Sequence, residues 1–452
     1  MGIKTTSLEP WIKRKITGDG SGSLTRKQIE AYQLAKLQET LDWVIRKSRF
    51  YTRLYSGLEC KISSLEDICR LPFTTSEDIK HNPLDFLCVS QNDISRIVTL
   101  QSSGTTGQPK RLFFTEADQE LTIDFFHHGI LTLVSPQDRV LIMLPGETPG
   151  SVGDLLRLGL ERAGATGIVH GLVNNPEDAL EHIKRENINV LVGIPTQVLG
   201  LARVKDSQGS SSSLSLKSVL LSTDYVPLAI VQELESTWGC KVFNHYGMTE
   251  MGLGVGLECE GFCGYHLREA DLYLEIIDPN SGLLVRDGQL GEVVFTTLTR
   301  SAMPLIRYRT GDRSRVIPGP CACQTVLKRL ELIKSRDRIY LTRTDYLTMA
   351  DFDEVLFELD DVLDFEVTLT KGMEAQVTHL QLDVQLRRLV SWDVKRTIQL
   401  ALDKIPVITD ARMNGSLRVF FYFEASTEKM IFRKNPAKRQ IRDKRGCILS
   451  VD

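Results

Sequence analysis

The chain has 452 residues, a formal net charge of −3 and 42% hydrophobic residues. That length allows about three units of roughly 150 residues, or one large α/β domain with a small companion. The near-neutral, slightly acidic balance argues against a dedicated nucleic-acid binder, which needs a net basic face. With no apolar run of about 18 residues, a membrane span is not expected. The opening MGIKTTSLEP lacks the apolar core of a secretory signal, so the expected location is cytoplasmic. In that reducing setting the nine cysteines read as buried thiols or metal ligands rather than a disulfide framework.

The first strong element is helical. Leu34, Leu37, Leu41 and Val44 recur at three- and four-residue spacing between polar residues, which predicts an amphipathic helix over 26–47 with Ser23 or Thr25 as its cap. An apolar run at 97–100 then leads into QSSGTTGQPK at 101–110. Glycines let backbone N–H groups converge on an anion, and Ser and Thr hydroxyls add donors, so a loop of this kind at a strand end suits polyphosphate. It is not a Walker loop, because Pro109 separates Gly107 from Lys110. The alternative is a plain polar turn.

From residue 139 short apolar runs at 140–144, 167–170, 190–194, 218–222 and 241–244 alternate with helical stretches, and Pro176 and Pro227 stand at helix starts. Regular exchange of strand and helix predicts parallel strands covered by helices, with ligands at their carboxyl ends. The run 207–215, SQGSSSSLS, reads as a flexible surface loop. Strands at 272–277 and 291–298 around an Asp-Pro-Asn-Ser-Gly turn predict an antiparallel β unit. Helices at 349–359 and 391–404 with strands at 362–369, 379–384 and 418–424 predict a compact C-terminal α+β module.

Two more motifs lie downstream of the glycine-rich loop: NHYGMTE at 244–250 and RYRTGD at 307–312. With SSGTTGQPK, and in that order, they resemble the three signature segments of the adenylate-forming acyl-CoA synthetase superfamily. The segments KSRFY at 47–51, LPFTT at 71–75, LYLEIIDP at 272–279 and GEVVFTTLTRSAMPLIRYRTGD at 291–312 are similar to the phenylacetate-CoA ligase group, so the likeness spans about residues 30 to 370. The resemblance implies an α/β fold: a large N-terminal adenylation domain, 1–336, with parallel sheets flanked by helices plus an antiparallel β unit, and a small mobile α+β C-terminal domain, 337–452, hinged near Asp337. It also implies an ATP-dependent, AMP-forming acid–CoA ligase acting on an aromatic or small organic acid.

The chemistry fits the residue types. A carboxylate must become a mixed anhydride before it can donate an acyl group, so a site has to align acid and ATP and neutralise the phosphates. By resemblance, Ser102, Ser103, Gly104, Thr105, Thr106 and Gly107 would wrap the β and γ phosphates, with Lys110 adding charge. Glu250 would hold Mg²⁺, a hard cation that favours carboxylate and phosphate oxygens, and Thr249 would sit by the α-phosphate. Ser222, Thr223 and Asp224 would pass along the adenine, as would Asn244, His245, Tyr246 and Gly247, while Asp312 accepts the ribose hydroxyls and Arg336 adds a contact near the hinge. Lys438, with Lys434 second, would be the catalytic lysine, and Phe125, Phe126, Gly146, Gly150 and Gly153 fall near the acid pocket of the group. Each residue also has a plain role, as core aromatic, helix start or turn former.

Cys259, Cys263 and His266 on one segment and Cys321 and Cys323 on another form two close pairs, a pattern suited to tetrahedral structural zinc or to reduced thiols in turns. The resembling group points to Cys259, His266, Cys321 and Cys323 as the zinc ligands, with Cys263 spare. One departure stands out: where the group has a turn glycine that lets pantetheine approach, this chain has Arg343-Thr344-Asp345, and Thr344 lacks that clearance if the backbone needs φ above zero. A non-CoA acceptor, or a lapsed relative that only binds nucleotide, are the alternatives. The expected partners are the acid, ATP and CoA, without nucleic acid or membrane, and a homodimer as the one protein partner considered.

Overall fold

Thr25, rather than Ser23, caps the helix Arg26–Lys47 in the computed structural model: its hydroxyl accepts from the Gln28 amide while the Gln28 side chain accepts from the Thr25 amide. Two orphan donors of the first turn are thereby satisfied. Leu37, Leu41 and Val44 are buried, and Leu34 packs at the edge of the same core. The structure describes residues 3–100, 108–206, 209–210, 214–334, 338–372, 377–387, 392–425 and 439–446.

The chain divides into two compact units, Met1–Val169 with Phe243–Ile333, and His170–Val242 with Lys334–Asp452. In the first, Arg96–Leu100 and Lys110–Phe114 pair antiparallel, Leu100 with Lys110 at one end and Arg96 with Phe114 at the other. Residues 101–107, the expected phosphate loop, lie outside the described residues. Arg139–Met143 and Thr166–Val169 pair in parallel across the helix Val152–Arg162. That helix comes close to the helix Glu116–Ile130 at Gly159, where a Cβ would meet the His127 amide and Phe126 Cβ at 2.9 Å. Gly146 and Gly153 likewise serve close packing, since a Cβ at Gly153 would stand 2.9 Å from Gly146 Cα.

Two further antiparallel pieces belong to this unit. Lys241–Tyr246, which begins in the other unit, pairs with Gly256–Leu257, then Tyr265–Leu267, then Arg329–Leu330. Leu272–Ile277, Gly291–Thr297 and Tyr308–Ser314 form a three-stranded sheet with a register shift between Glu292 and Val294. This is the expected antiparallel unit.

In the second unit Val190–Gly193 and Ser218–Leu221 pair in parallel, accompanied by the helices Pro176–Arg185, Pro195–Arg203 and Leu228–Trp238. Pro176 occupies the first turn, where its missing N–H has no helical partner to lose. The run expected to be loop at 207–215 contains Gly209–Ser210, paired with Lys205–Asp206. The C-terminal sheet sets Val362–Lys371 antiparallel to Thr378–Leu386, with Leu417–Ala425 and Arg442–Asp443 running parallel on either side. Helices Met349–Leu356, Trp392–Leu402 and Pro406–Met413 complete the α+β module. Among the described residues no helix is long and apolar enough to cross a membrane.

Candidate active site

Three distant segments meet within the first unit. Lys110, the first residue of its strand, sends its ammonium to the Glu250 carboxylate, to Tyr308 Oη at 3.3 Å and to Ser76 Oγ at 3.3 Å. Tyr308 also donates to Glu250 at 3.2 Å. Four residues further along the same strand, Asp312 accepts a 2.7 Å bond from the Tyr246 hydroxyl. The segments 246–250 and 308–312 therefore cross in opposite senses, and both carboxylates are almost wholly buried. Buried charge is tolerated only when paired, and here each acid has a donor.

The backbone that carries these groups is braced from far upstream. Arg300, itself buried, donates to the Glu250 carbonyl at 2.8 Å and to the Phe113 carbonyl at 2.9 Å. Tyr51 Oη accepts from the Ile306 amide at 2.9 Å and meets Thr74 Oγ1 at 3.1 Å, while Thr74 Oγ1 donates to the Ile306 carbonyl at 2.8 Å. Arg307, at φ +47°, is held by Glu275 and by the Cys69 and Leu71 carbonyls. The segments KSRFY and LPFTT thus steady the bend that leads into the strand of Asp312. Tyr308, Ser76 and Arg300 were not singled out from sequence, although Tyr308 and Arg300 sit inside quoted motifs.

Other candidates have different surroundings. Asn244 donates from its backbone amide and its side-chain nitrogen to Glu258 Oε2 at 2.9 and 2.6 Å. Burial pushes the Glu258 carboxyl up to about 7, the Asn244 bonds pulling it back. His245 lies 6.0 Å from Phe125 and 6.1 Å from Phe126 by ring centroid, and burial lowers its pKa to about 4, which keeps it neutral. Tyr246 stacks on Tyr265 at 5.7 Å. Thr249 and Glu250 form a single 3₁₀ turn with Met251.

The Cys/His segments converge as well. Cys259 and Cys321 Sγ are 3.6 Å apart, Cys323 Sγ and His266 Nε2 3.4 Å, and all four ligand atoms lie within 4.8 Å of one another. Ligands about 2.0–2.3 Å from one tetrahedral zinc stand roughly 3.5–3.8 Å apart, so the residues fit that ion. Burial raises the Cys259 pKa, and the Gly261 amide, which donates to Cys259 Sγ at 3.3 Å, pulls the other way. Burial opposes ionisation of Cys321, but the Cys323 amide and the neighbouring thiols outweigh it and its pKa falls. Cys263 is exposed and outside the cluster.

The profile of the family described as "AMP-binding enzyme" matches residues 71–299, half of the chain. The chain belongs to the AMP-binding enzyme family. Among curated relatives, phenylacetate-coenzyme A ligase of Escherichia coli (strain K12) is 30% identical over 68% of this chain and 71% of its own length. The protein of the same description from Thermus thermophilus is 29% identical over 75% and 78%. They place this AMP-binding enzyme in the phenylacetate-CoA ligase-like group of adenylate-forming enzymes. A solved structure of 2-hydroxyisobutyryl-CoA ligase in the postadenylation state, in complex with R3-HIB-AMP, matches with a TM-score of 0.76 at 20% identity, covering 96% of this chain and 92% of that one. That likeness is one of fold.

In the second unit of this AMP-binding enzyme, Ser222 donates its amide to the Gly193 carbonyl at 3.1 Å, directly after a parallel strand. Thr223 has φ +78°, a costly conformation for a β-branched residue and of the kind held at functional loops. Asp224 accepts from the Arg439 amide at 3.2 Å. Residues 102–107, Arg336, Lys434 and Lys438 lie outside the described residues. Gly247 permits the turn that sets Glu250, because a Cβ there would meet the Leu253 carbonyl oxygen at 1.8 Å. Gly247→Ala is expected to weaken nucleotide binding at least about tenfold by displacing that turn; calorimetric titration with ATP, with circular dichroism as a control for folding, checks it.

Proposed function

We propose that this AMP-binding enzyme activates an aromatic or small organic acid as acyl-adenylate and passes the acyl group to CoA. The observation that carries the reading is the meeting of Lys110, Glu250 and Tyr308 beside the Tyr246–Asp312 bond, where the strand Lys110–Phe114 begins. The acid oxygen attacks the α-phosphorus, the P–O bond to pyrophosphate breaks, and the acyl-adenylate forms; CoA sulfur then attacks the acyl carbon and AMP leaves. The loop amides and hydroxyls with Lys110 hold the phosphates, Asp312 takes the ribose, and Tyr246 orients Asp312. Glu250 is a fitting ligand for Mg²⁺, which supplies charge neutralisation of the phosphates. Residues 337–452 act as the moving C-terminal domain and bring Lys438 to the reacting oxygens.

Zinc at Cys259, His266, Cys321 and Cys323 is structural, since four protein ligands leave no position for water. A cytoplasmic setting suits both these thiols and the ATP and CoA required. The turn at Thr344 needs no left-handed backbone, because Thr344 is not among the positive-φ residues, so threonine fits there without strain. Its amide donates to Thr342 Oγ1 at 3.3 Å and its hydroxyl to Asp345 at 3.2 Å, so threonine closes the turn with its own polar atoms.

ATP–pyrophosphate exchange with a panel of aryl and short-chain acids tests the first half-reaction. Exchange should appear with at least one acid and fall about 10²–10³-fold in Lys438→Ala, the loss typical of a group that stabilises transition-state charge. Lys434→Ala should stay within about threefold of the parent, a difference of less than 1 kcal/mol. No exchange with any acid would refute the reading.

A further inference from the structure

The second unit holds a buried guanidinium whose partners come from both parts of that unit. Arg203 ends the helix Pro195–Arg203, and its side chain is 1% exposed. Nε donates to Glu233 at 2.8 Å, and one terminal nitrogen donates to Glu233 and to the Phe357 carbonyl at 2.8 Å. The other donates to the Leu359 carbonyl at 3.1 Å and to the Val362 carbonyl. All five donors of the group are thus used. Phe357 is the C-cap of the helix Met349–Leu356, so the guanidinium stands where orphan carbonyls and the negative end of the helix dipole coincide.

A second helix end is matched in return. Glu354, on that C-terminal helix, accepts from the Tyr225 hydroxyl and from the Leu228 amide at 3.2 Å, at the start of the helix Leu228–Trp238. The third link is the bond from the Arg439 amide to Asp224. The Arg439 guanidinium pairs with Asp353 and lies 4.8 and 4.3 Å from the Phe357 and Phe365 ring centroids, which fixes the chain immediately after residue 438.

We infer that Arg203 is a positioning residue for acyl-adenylate formation: it clasps the α+β module to the 170–242 segment in the pose that seats Arg439 on Asp224 of the Ser222–Asp224 loop. The inference rests on the ligase reading above. Rotation of the module for thioester formation must release three carbonyls from one guanidinium, so the clasp favours the first half-reaction and opposes departure from it.

The test uses the full chain and two variants, Arg203→Gln and Glu354→Ala, with Arg203→Lys as the conservative control. Three quantities are read: acid-dependent ATP–pyrophosphate exchange, thioester formation from supplied acyl-adenylate and CoA, and amide hydrogen exchange over 349–362. Arg203→Gln should lower kcat for exchange about tenfold with little change in KM for ATP, the scale of losing charge-assisted hydrogen bonds. Thioester formation should hold or rise, protection over 349–362 should drop, and Arg203→Lys should recover part of each. If Arg203→Gln does not fold, Glu354→Ala carries the same expectations, since its carboxylate is only partly buried. Equal falls in both half-reactions, or no change in protection, overturn the inference alone. A parent enzyme inactive in both assays overturns the ligase reading and the inference with it.

Discussion

Glu250→Gln is expected to slow acyl-adenylate formation by about 10²–10³-fold while leaving most of the folded stability in place. The carboxylate has Lys110 and Tyr308 on it, and its own carbonyl is gripped by Arg300. Glutamine keeps the shape, the bond from Tyr308 and the backbone contact with Arg300, so the turn survives. What it loses is the negative charge, and with it both a hard ligand for a divalent cation and the counter-ion of Lys110. A loss of about 3–4 kcal/mol in transition-state stabilisation is the scale for removing one preorganised electrostatic group. Exchange kinetics at saturating Mg²⁺, with a thermal melt alongside, separate the two effects. If turnover stays within about threefold of the parent while the melt drops, Glu250 serves only as the partner of Lys110.

Cys321→Ser is expected to remove one equivalent of zinc and to destabilise the first unit by several kcal/mol, because binding free energy at a closed metal site is folding free energy. The serine leaves a buried cluster with one thiolate fewer beside Cys259 at 3.6 Å and cannot replace a soft ligand. Elemental analysis after dialysis and thermal inactivation rates check the two parts. Cys263→Ser is the control, since that thiol is exposed and apart from the cluster, and it should keep metal and stability. Parent protein free of metal after purification from zinc-supplied cells would defeat the proposal.

Elements with a local cause were legible in the sequence. The helix Arg26–Lys47 announced itself through its apolar spacing and Thr25–Gln28 box, and the paired Cys/His segments through their spacing. The helices Leu8–Thr17 and Pro406–Met413 were not expected because each is only three turns or fewer, too short for a repeating apolar spacing, though Pro406 at the first turn was a usable sign. At the site, the motifs name residues that the structure brings together, Lys110 with Glu250 and Tyr246 with Asp312, but not their pairings. Lys110 reads as a phosphate ligand, yet its counter-ion lies 140 residues away, a relation no local pattern encodes. Asn244 reads as a nucleotide contact, and its bond to Glu258 depends on how the chain returns after the next strand, which no local pattern gives. The concern over Thr344 assumed a left-handed turn that the backbone does not adopt.

Tyr51 and Thr74 hold the bend at Ile306 through hydrogen bonds that span 255 and 232 positions of chain. Residues far upstream of all three motifs therefore govern the entry to the strand that carries Asp312, and a chain shortened past Thr74 would keep each motif yet leave that bend unmoored.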